Sequence, residues 1–472
     1  VSAATRRWGA ALVAACAWTA PLAAQGPSVG VDLRVELLTI VFRLAGNPEY
    51  QRCDVPRYAA ALDAYFAPFR DHEAVELARA LRNSRGAGYD APMSLAIHLT
   101  DAAAPRPRIA FAEARALDPR WRDPRTAPFV RALRRFVTDS RADAFFASQR
   151  ALHDSATARL GRLVAAGVDL AWFDRFFGER AGAAFHAVAG VCNGGNNFGV
   201  RFVRGRQGEL YAVLGVFRTD SAGWPLFPPA MVGTVIHEFS HSYVNPTLAR
   251  AERELGRGAE ALYAATAAAM RAQAYGSAAT VLNETFVRAA TIRYLLAHDG
   301  EDAARAATLN EQGRGFVWMP EAVVLLGAYE RDRERYPTFA AFLPRVAAWT
   351  DSVGPHAAAL VAAYEARRPR VVSITPGDGA ADVDPELTTI VVRFDRRMRR
   401  GYSIQLGPGG RATFPDITGA AWDSTGTVFT LSVELQPGRS YEFRLNRGGG
   451  GGFVSEDGVA LAERLVRFRT RD

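Results

Sequence analysis

Helical periodicity stops at Arg367-Arg368-Pro369-Arg370, and this switch constrains the fold more than any other feature of the sequence. Across 31–365 apolar side chains recur mostly at helical spacing, as at Leu37, Leu38, Val41 and Phe42 before the Gly46-Asn47-Pro48 break. Segments near 56–69, 73–84, 128–150 and 154–166 repeat the pattern, while 101–127, rich in Pro, Arg and Asp, reads as a long surface connection. Short β-type runs interrupt it at 199–203 and 209–217, split by a Gly-containing turn. Beyond the boundary, 371–374, 388–394, 428–433, 441–445 and 465–468 are strand-length runs separated by turns such as Pro376-Gly377-Asp378-Gly379 and Pro437-Gly438. About 100 residues patterned this way predict a β-sandwich. The glycine run 448–452 reads as a loose hairpin loop. The fold class is therefore α+β: a mostly helical domain over 25–366, then an all-β domain over 370–472.

A net charge of +8 invites a nucleic-acid reading, but the 57 basic residues are all arginines, interspersed with 49 acids. Uniform arginine with abundant Ala and Gly fits GC-rich codon usage, so no nucleic-acid partner is expected. No apolar run approaches the ~18 residues of a membrane span. At the start, Arg6-Arg7, an apolar stretch over 8–20, and Ala23-Ala24 before Gln25 stand in the order of a signal peptide. Residues 1–24 are expected to be removed and the protein exported, to the periplasm or outside the cell. A lipobox-like Val13-Ala14-Ala15-Cys16 offers acylation at Cys16 instead, but apolar character continues past it. Removal of the signal leaves Cys53 and Cys192, which an exported protein either joins or buries as free thiols.

His237-Glu238-Phe239-Ser240-His241 is the one strong chemical statement. With 8 histidines in 472 residues, chance writes His-Glu-x-x-His in roughly one such chain in a hundred. Met231, Val232, Val235, Ile236, Phe239 and Tyr243 give an apolar helical pattern, entered after Pro229 and expected to stop at Asn245-Pro246. One turn apart on that helix, His237 and His241 project from one face and can reach one Zn²⁺ at ~2.0–2.1 Å. Glu238 lies beside that face, placed to take a proton from an activated water. Without a metal or other partners, these groups would be costly to bury.

A catalytic zinc needs a third protein ligand and an open position. Metzincins place Gly and His three and six residues after the second His; Val244 and Thr247 stand there, which excludes that class. Gluzincins take a Glu from a following helix, and the candidate is Glu284, 43 residues after His241. Leu282, Phe286, Val287, Ile292 and Leu295 mark its helix as buried, where a lone carboxylate needs a reason. Glu252, Glu254 and Glu260 lie on a more polar segment that reads as a solvated face. Arg288, one turn past Glu284, is placed to clamp it or to contact substrate, and Tyr243 is a further candidate for such contact. The strand at 209–217 is the expected sheet edge onto which an extended substrate adds. His98 reads as a core or surface residue.

Two resemblances extend this reading. Thr375-Pro376, Gly379-Ala380, Val383-Asp384-Pro385, Phe394-Asp395 with Met398, Leu435-Gln436-Pro437-Gly438 with Tyr441, and Phe468-Arg469-Thr470 resemble the bacterial Ig-like domains of surface-layer and secreted proteins. This covers nearly all of 370–472 and implies an Ig-like spacer or adhesion module, able to attach to a cell surface or polymer, with no catalysis. Residues 31–50 and 89–98, the Asn196-Asn197-Phe198-Gly199 turn and 237–246 resemble an uncharacterised family of exported bacterial His-Glu-x-x-His proteins regarded as peptidases. That resemblance covers most of 28–365 and implies a zincin-like, gluzincin-type zinc hydrolase of unassigned substrate. The expectation is an exported zinc metallopeptidase acting on peptides or proteins, with Zn²⁺ on His237, His241 and Glu284 and Glu238 as general base. The rival is a non-catalytic surface-binding protein with a structural or lapsed metal site. An intact Glu238 favours the enzyme, since a purely structural site needs no base there.

Overall fold

The computed structural model describes residues 27–178, 183–205, 207–446 and 452–472. The expected signal peptide and all of the glycine run except Gly452 lie outside the described residues. A small mixed sheet sits inside the helical domain, built from β1 (Ser28–Gly30), β2 (Ala184–Gly190), β3 (Phe198–Arg204) and β4 (Gln207–Gly215) in the order β1-β2-β4-β3. β1, β2 and β4 run parallel, and β3 returns antiparallel to β4 with Phe198 opposite Val213. Strand alternation sends Ala187, Ala189, Leu210, Ala212 and Leu214 to one core, and Val188, Tyr211, Val213, Val200 and Phe202 to another. The first core includes Val235, Ile236, Phe239 and Tyr243 of the motif helix Met231–Leu248. The second is filled by earlier helices, among them Leu33–Leu44 and Asp90–Ile97.

Two sequence expectations change here, and one question left open is answered. The strand expected at 209–217 forms, but it is not an edge: β4 is paired on both sides, and the edges are β1 and β3. The cause is β2, whose seven residues pair in parallel with β4, from a segment of mostly small side chains that carries no clear strand signal. The motif helix runs past Pro246 to Leu248. Proline removes one backbone donor, while the Thr247 hydroxyl donates to the Tyr243 carbonyl at 2.7 Å and the Ala249 N–H reaches Asn245 O, so the last turn persists. Cys53 and Cys192, left open above, are joined as a disulfide with a Cα–Cα distance of 4.8 Å, tying the chain before the helix Pro56–Phe66 to the turn after β2.

The last helix of the first domain, Ala357–Arg367, leads directly into a β-sandwich. One sheet holds β5 (Val371–Thr375), β7 (Thr389–Phe394), β10 (Val428–Glu434) and β9 (Asp416–Trp422). The other holds β6 (Ala380–Val383), β12 (Arg464–Thr470), β11 (Ser440–Leu445) and β8 (Ile404–Leu406). Between them Ile390, Val392, Phe429, Leu431, Phe443 and Val466 are fully buried. Two loops of the sandwich touch the first domain: Val459 packs into the larger helical core while Arg368 Nη1 donates to the Ala460 carbonyl at 2.9 Å, and Arg396 Nη1 donates to the Arg367 carbonyl at 3.0 Å. Among the described residues, no helix is long and apolar enough to cross a membrane.

Candidate metal centre

The motif helix packs against the helix Ala278–His298, and the contact brings His237, His241 and Glu284 together. His237 Nε2 and His241 Nε2 are 3.2 Å apart. Glu284 Oε2 lies 3.6 Å from His237 Nε2, and Oε1 lies 3.5 Å from His241 Nε2. Among the described residues this is the one group of three or more His, Cys, Asp or Glu side chains arranged to hold a metal ion. His241 Nδ1 lies 3.2 Å from Asn245 Oδ1; an Nδ1–H donating to that oxygen leaves the Nε2 lone pair free.

The charges around the cluster are asymmetric. Burial, with the charge of Glu284 next, pushes the Glu238 carboxyl well above the usual carboxylate range. The Gly199 backbone N–H on β3 faces that carboxylate and opposes the shift. Gly199 has to be small, because a Cβ there would come within 2.2 Å of the Glu238 carbonyl and 2.9 Å of the His241 Cβ. Burial also works against ionised Glu284, but Arg288, His241 and His237 outweigh it and hold the group at about 2. Burial drives His237 well below its usual value, toward the neutral ring that a metal needs.

Arg288 is buried and bonds three side chains. Its Nη2 donates to Glu284 Oε2 and to the Tyr275 hydroxyl, each at 2.9 Å, and its Nη1 donates to Glu311. Its guanidinium carbon sits 4.7 Å from the Phe316 ring centroid, so planar packing and ion pairing fix it together. Tyr243 corrects an expectation. It faces away from the cluster, 3 % exposed, with its ring stacked on Phe173 and Phe177 at 5.7 and 4.5 Å. The physical reason is helical geometry, since two residues past His241 is the opposite face. Glu252, Glu254 and Glu260 are exposed, and His98 is buried with Nδ1 2.7 Å from Ser94 O. Sequence reasoning missed Asn245, Tyr275 and Glu311. Asn245 stands one turn after His241 and could have been read from helical spacing; Tyr275 sits in the turn before its helix, where no periodicity points anywhere.

A helical domain wrapped on a small mixed sheet, with a His-His-Glu cluster on two packed helices and an Ig-like sandwich behind it, defines a two-domain α+β class. The chain belongs to the family described as Domain of unknown function (DUF4932), whose model matches residues 28–349. Residues 365–468 match a bacterial Ig-like domain. Among solved structures, the S-layer protein rSbsC(31-844) is similar at 16 % identity over 50 % of this chain, with a TM-score of 0.18. That match spans 33 % of the S-layer protein's own chain. No curated protein matches the sequence.

Proposed function

We propose that the chain is an exported zinc-dependent metallopeptidase with a zincin-like catalytic domain. One observation carries the reading: the donor atoms of His237, His241 and Glu284 stand 3.2 to 3.6 Å apart. Ligands at ~2.0–2.1 Å from a tetrahedral ion are separated by roughly 3.3 Å, so the triangle has the size of one face of a zinc site. Two imidazoles and a carboxylate are also a familiar donor set for catalytic zinc. A zinc ion held there supplies Lewis acidity toward a water and a carbonyl oxygen.

The chain's own groups do the rest. Glu238 is the base that accepts the water's proton and returns it to the leaving amine. Its carboxyl is buried beside the cluster, and that burial pushes it upward. Arg288 positions Glu284 and neutralises part of its charge. The Tyr275 hydroxyl accepts from Arg288, which leaves its own proton free for an oxyanion. Burial, then the charge of Glu284, raises that phenol to about 12, so it keeps the proton at neutral pH. β3, an edge strand beside Glu238, is the strand along which an extended peptide lies.

Metal analysis of the purified protein, run beside a mixed-peptide cleavage screen, tests this. About one Zn²⁺ per chain is expected, with cleavage abolished by chelation and restored by zinc. Stoichiometric zinc in a His237→Ala, His241→Ala double variant refutes the site. A zinc-loaded wild type inert on diverse peptides and proteins refutes the enzyme and leaves a binding protein.

A further inference from the structure

Tyr89 stands immediately before the helix Asp90–Ile97 with φ 54° and ψ −115°. L side chains rarely adopt this region, and glycine fills it at no steric cost. A non-glycine residue there is strained and persists only when the surroundings over-determine it. Here they do. The Tyr89 N–H donates to Glu49 Oε1 at 3.1 Å, and the Tyr89 carbonyl accepts from the Tyr50 hydroxyl at 2.5 Å. Glu49 is itself paired with Arg82 at 3.1 Å, and the Arg82 guanidinium lies 5.5 Å from the Tyr89 ring centroid.

The clamp is buried, but Tyr89 is 38 % exposed, so the ring is not there to fill a core. An aromatic held where glycine would fit, with its N–H and carbonyl both bonded by buried side chains, presents a fixed ring to whatever lies outside the fold. Its place says what. The helix Asp90–Ile97 packs on β3, and β3 packs on the motif helix. Gly194, on the turn that leads into β3, lies directly against the Glu49 backbone. The charge of Asp90, the next residue, reaches Glu238. Nearby charges are already paired, Arg82 with Glu49 and Arg120 with Asp90, while the ring, with Arg82 beside it, stays open to solvent.

We infer that Tyr89 is a substrate-contact residue at the rim of the metal centre, presenting a fixed aromatic face to an apolar side chain of a polypeptide laid along β3. This rests on the peptidase reading, and the experiment separates the two. Four fluorogenic peptides, identical except for Gly, Leu, Phe or Glu at one position scanned on each side of the cleaved bond, are given to wild type, Tyr89→Phe and Tyr89→Gly. Wild type and Tyr89→Phe should favour Leu and Phe at one position. Tyr89→Gly should reduce that preference in kcat/KM at least tenfold, the scale set by apolar contacts in a pocket. It should keep its zinc and melt no lower than wild type, because glycine relieves the backbone. A merely structural role would slow all four peptides alike and leave their ratio unchanged.

An unchanged ratio in Tyr89→Gly, or a wild type without apolar preference, overturns the inference while the peptidase stands. If wild type cleaves nothing, the same peptides are titrated by anisotropy into zinc-loaded Glu238→Gln, with and without Tyr89→Gly. Apolar-selective binding erased by Tyr89→Gly then upholds Tyr89 and refutes hydrolysis. Absence of apolar-selective binding overturns both.

Discussion

Glu238 and Glu284 are both shut away from water, yet their neighbours drive them in opposite directions. Arg288 and the two histidines hold Glu284 ionised, as a ligand must be, whereas Glu238 sits beside that negative charge and is pushed upward by it and by burial. The two carboxylates therefore separate by mutation. Glu238→Gln keeps shape and hydrogen bonding but removes the base, so zinc content should stay near wild type while hydrolysis falls by about 10²–10⁴-fold. Glu284→Ala should lower zinc affinity and activity together, because two histidines alone hold zinc poorly and Arg288 loses one of its two carboxylate partners. Zinc titration and initial rates on both variants give the signatures; a Glu238→Gln protein that loses zinc but cleaves normally when zinc is restored reverses the roles. His237, Glu238 and His241 were legible in the sequence because polar groups at one-turn spacing on an apolar helix have few other uses. Glu284 was legible as a carboxylate in a buried helical run. Tyr275 and Glu311 were not, since what ties each of them to the site is a bond from Arg288, and nothing in local spacing records a contact made by a long side chain.

Among the elements, the helices were readable and the sheet only in part, for a reason that the second core displays. Glu36 lies on the helix Leu33–Leu44, fully buried, and reads in sequence as a polar break in an apolar run. Its Oε1 accepts from the Val191 N–H at 2.9 Å just after β2, and its Oε2 accepts from the Tyr58 hydroxyl at 2.7 Å. The carboxyl, together with the Cys53–Cys192 disulfide, thus fixes the end of a strand about 150 residues away. No periodicity within either segment could announce that. Burial raises the Glu36 carboxyl from 4.5 to about 7 in the folded chain. The folded state therefore binds this proton more tightly than the unfolded chain, and stability from it is full below about pH 4.5 and lost as pH rises through 7. The loss amounts to about 3 kcal/mol at 1.36 kcal/mol per pKa unit. Glu36→Gln keeps an acceptor for Val191 and cannot ionise. It should match wild type near pH 4.5 and be the more stable protein at pH 8, as read by chemical denaturation at both pH values; an equal difference at both would remove Glu36 from the pH response.

At the scale of the whole molecule the change of period at 367–370 marks a physical seam, with an apolar core on each side of it and the candidate metal site on one side. The sandwich closes its own core of Ile390, Val392, Phe429, Leu431, Phe443 and Val466, while every proposed zinc ligand lies in the helical domain. The link across the seam includes Val459 in the helical core, Arg368 on the Ala460 carbonyl, Arg396 on the Arg367 carbonyl at 3.0 Å, and Arg367 with Asp457 at 3.7 Å. Two melting transitions are therefore expected in the full chain. Zinc that binds the folded helical domain and not its unfolded chain stabilises it by about 4 kcal/mol at a thousandfold excess over Kd, so chelation should lower one transition and leave the other in place. Cutting between Ala366 and Val371 should release a C-terminal domain that folds alone without metal, at nearly its melting temperature in the intact chain. The helical fragment should keep its zinc but melt lower, since it gives up the burial of Val459, worth about 1.5–3 kcal/mol. Calorimetry of the two fragments and of the intact chain, each with and without chelator, makes the comparison. A C-terminal fragment that is unfolded by itself, or a transition of that fragment that moves with zinc, would show that the seam in the sequence is not a seam in the fold.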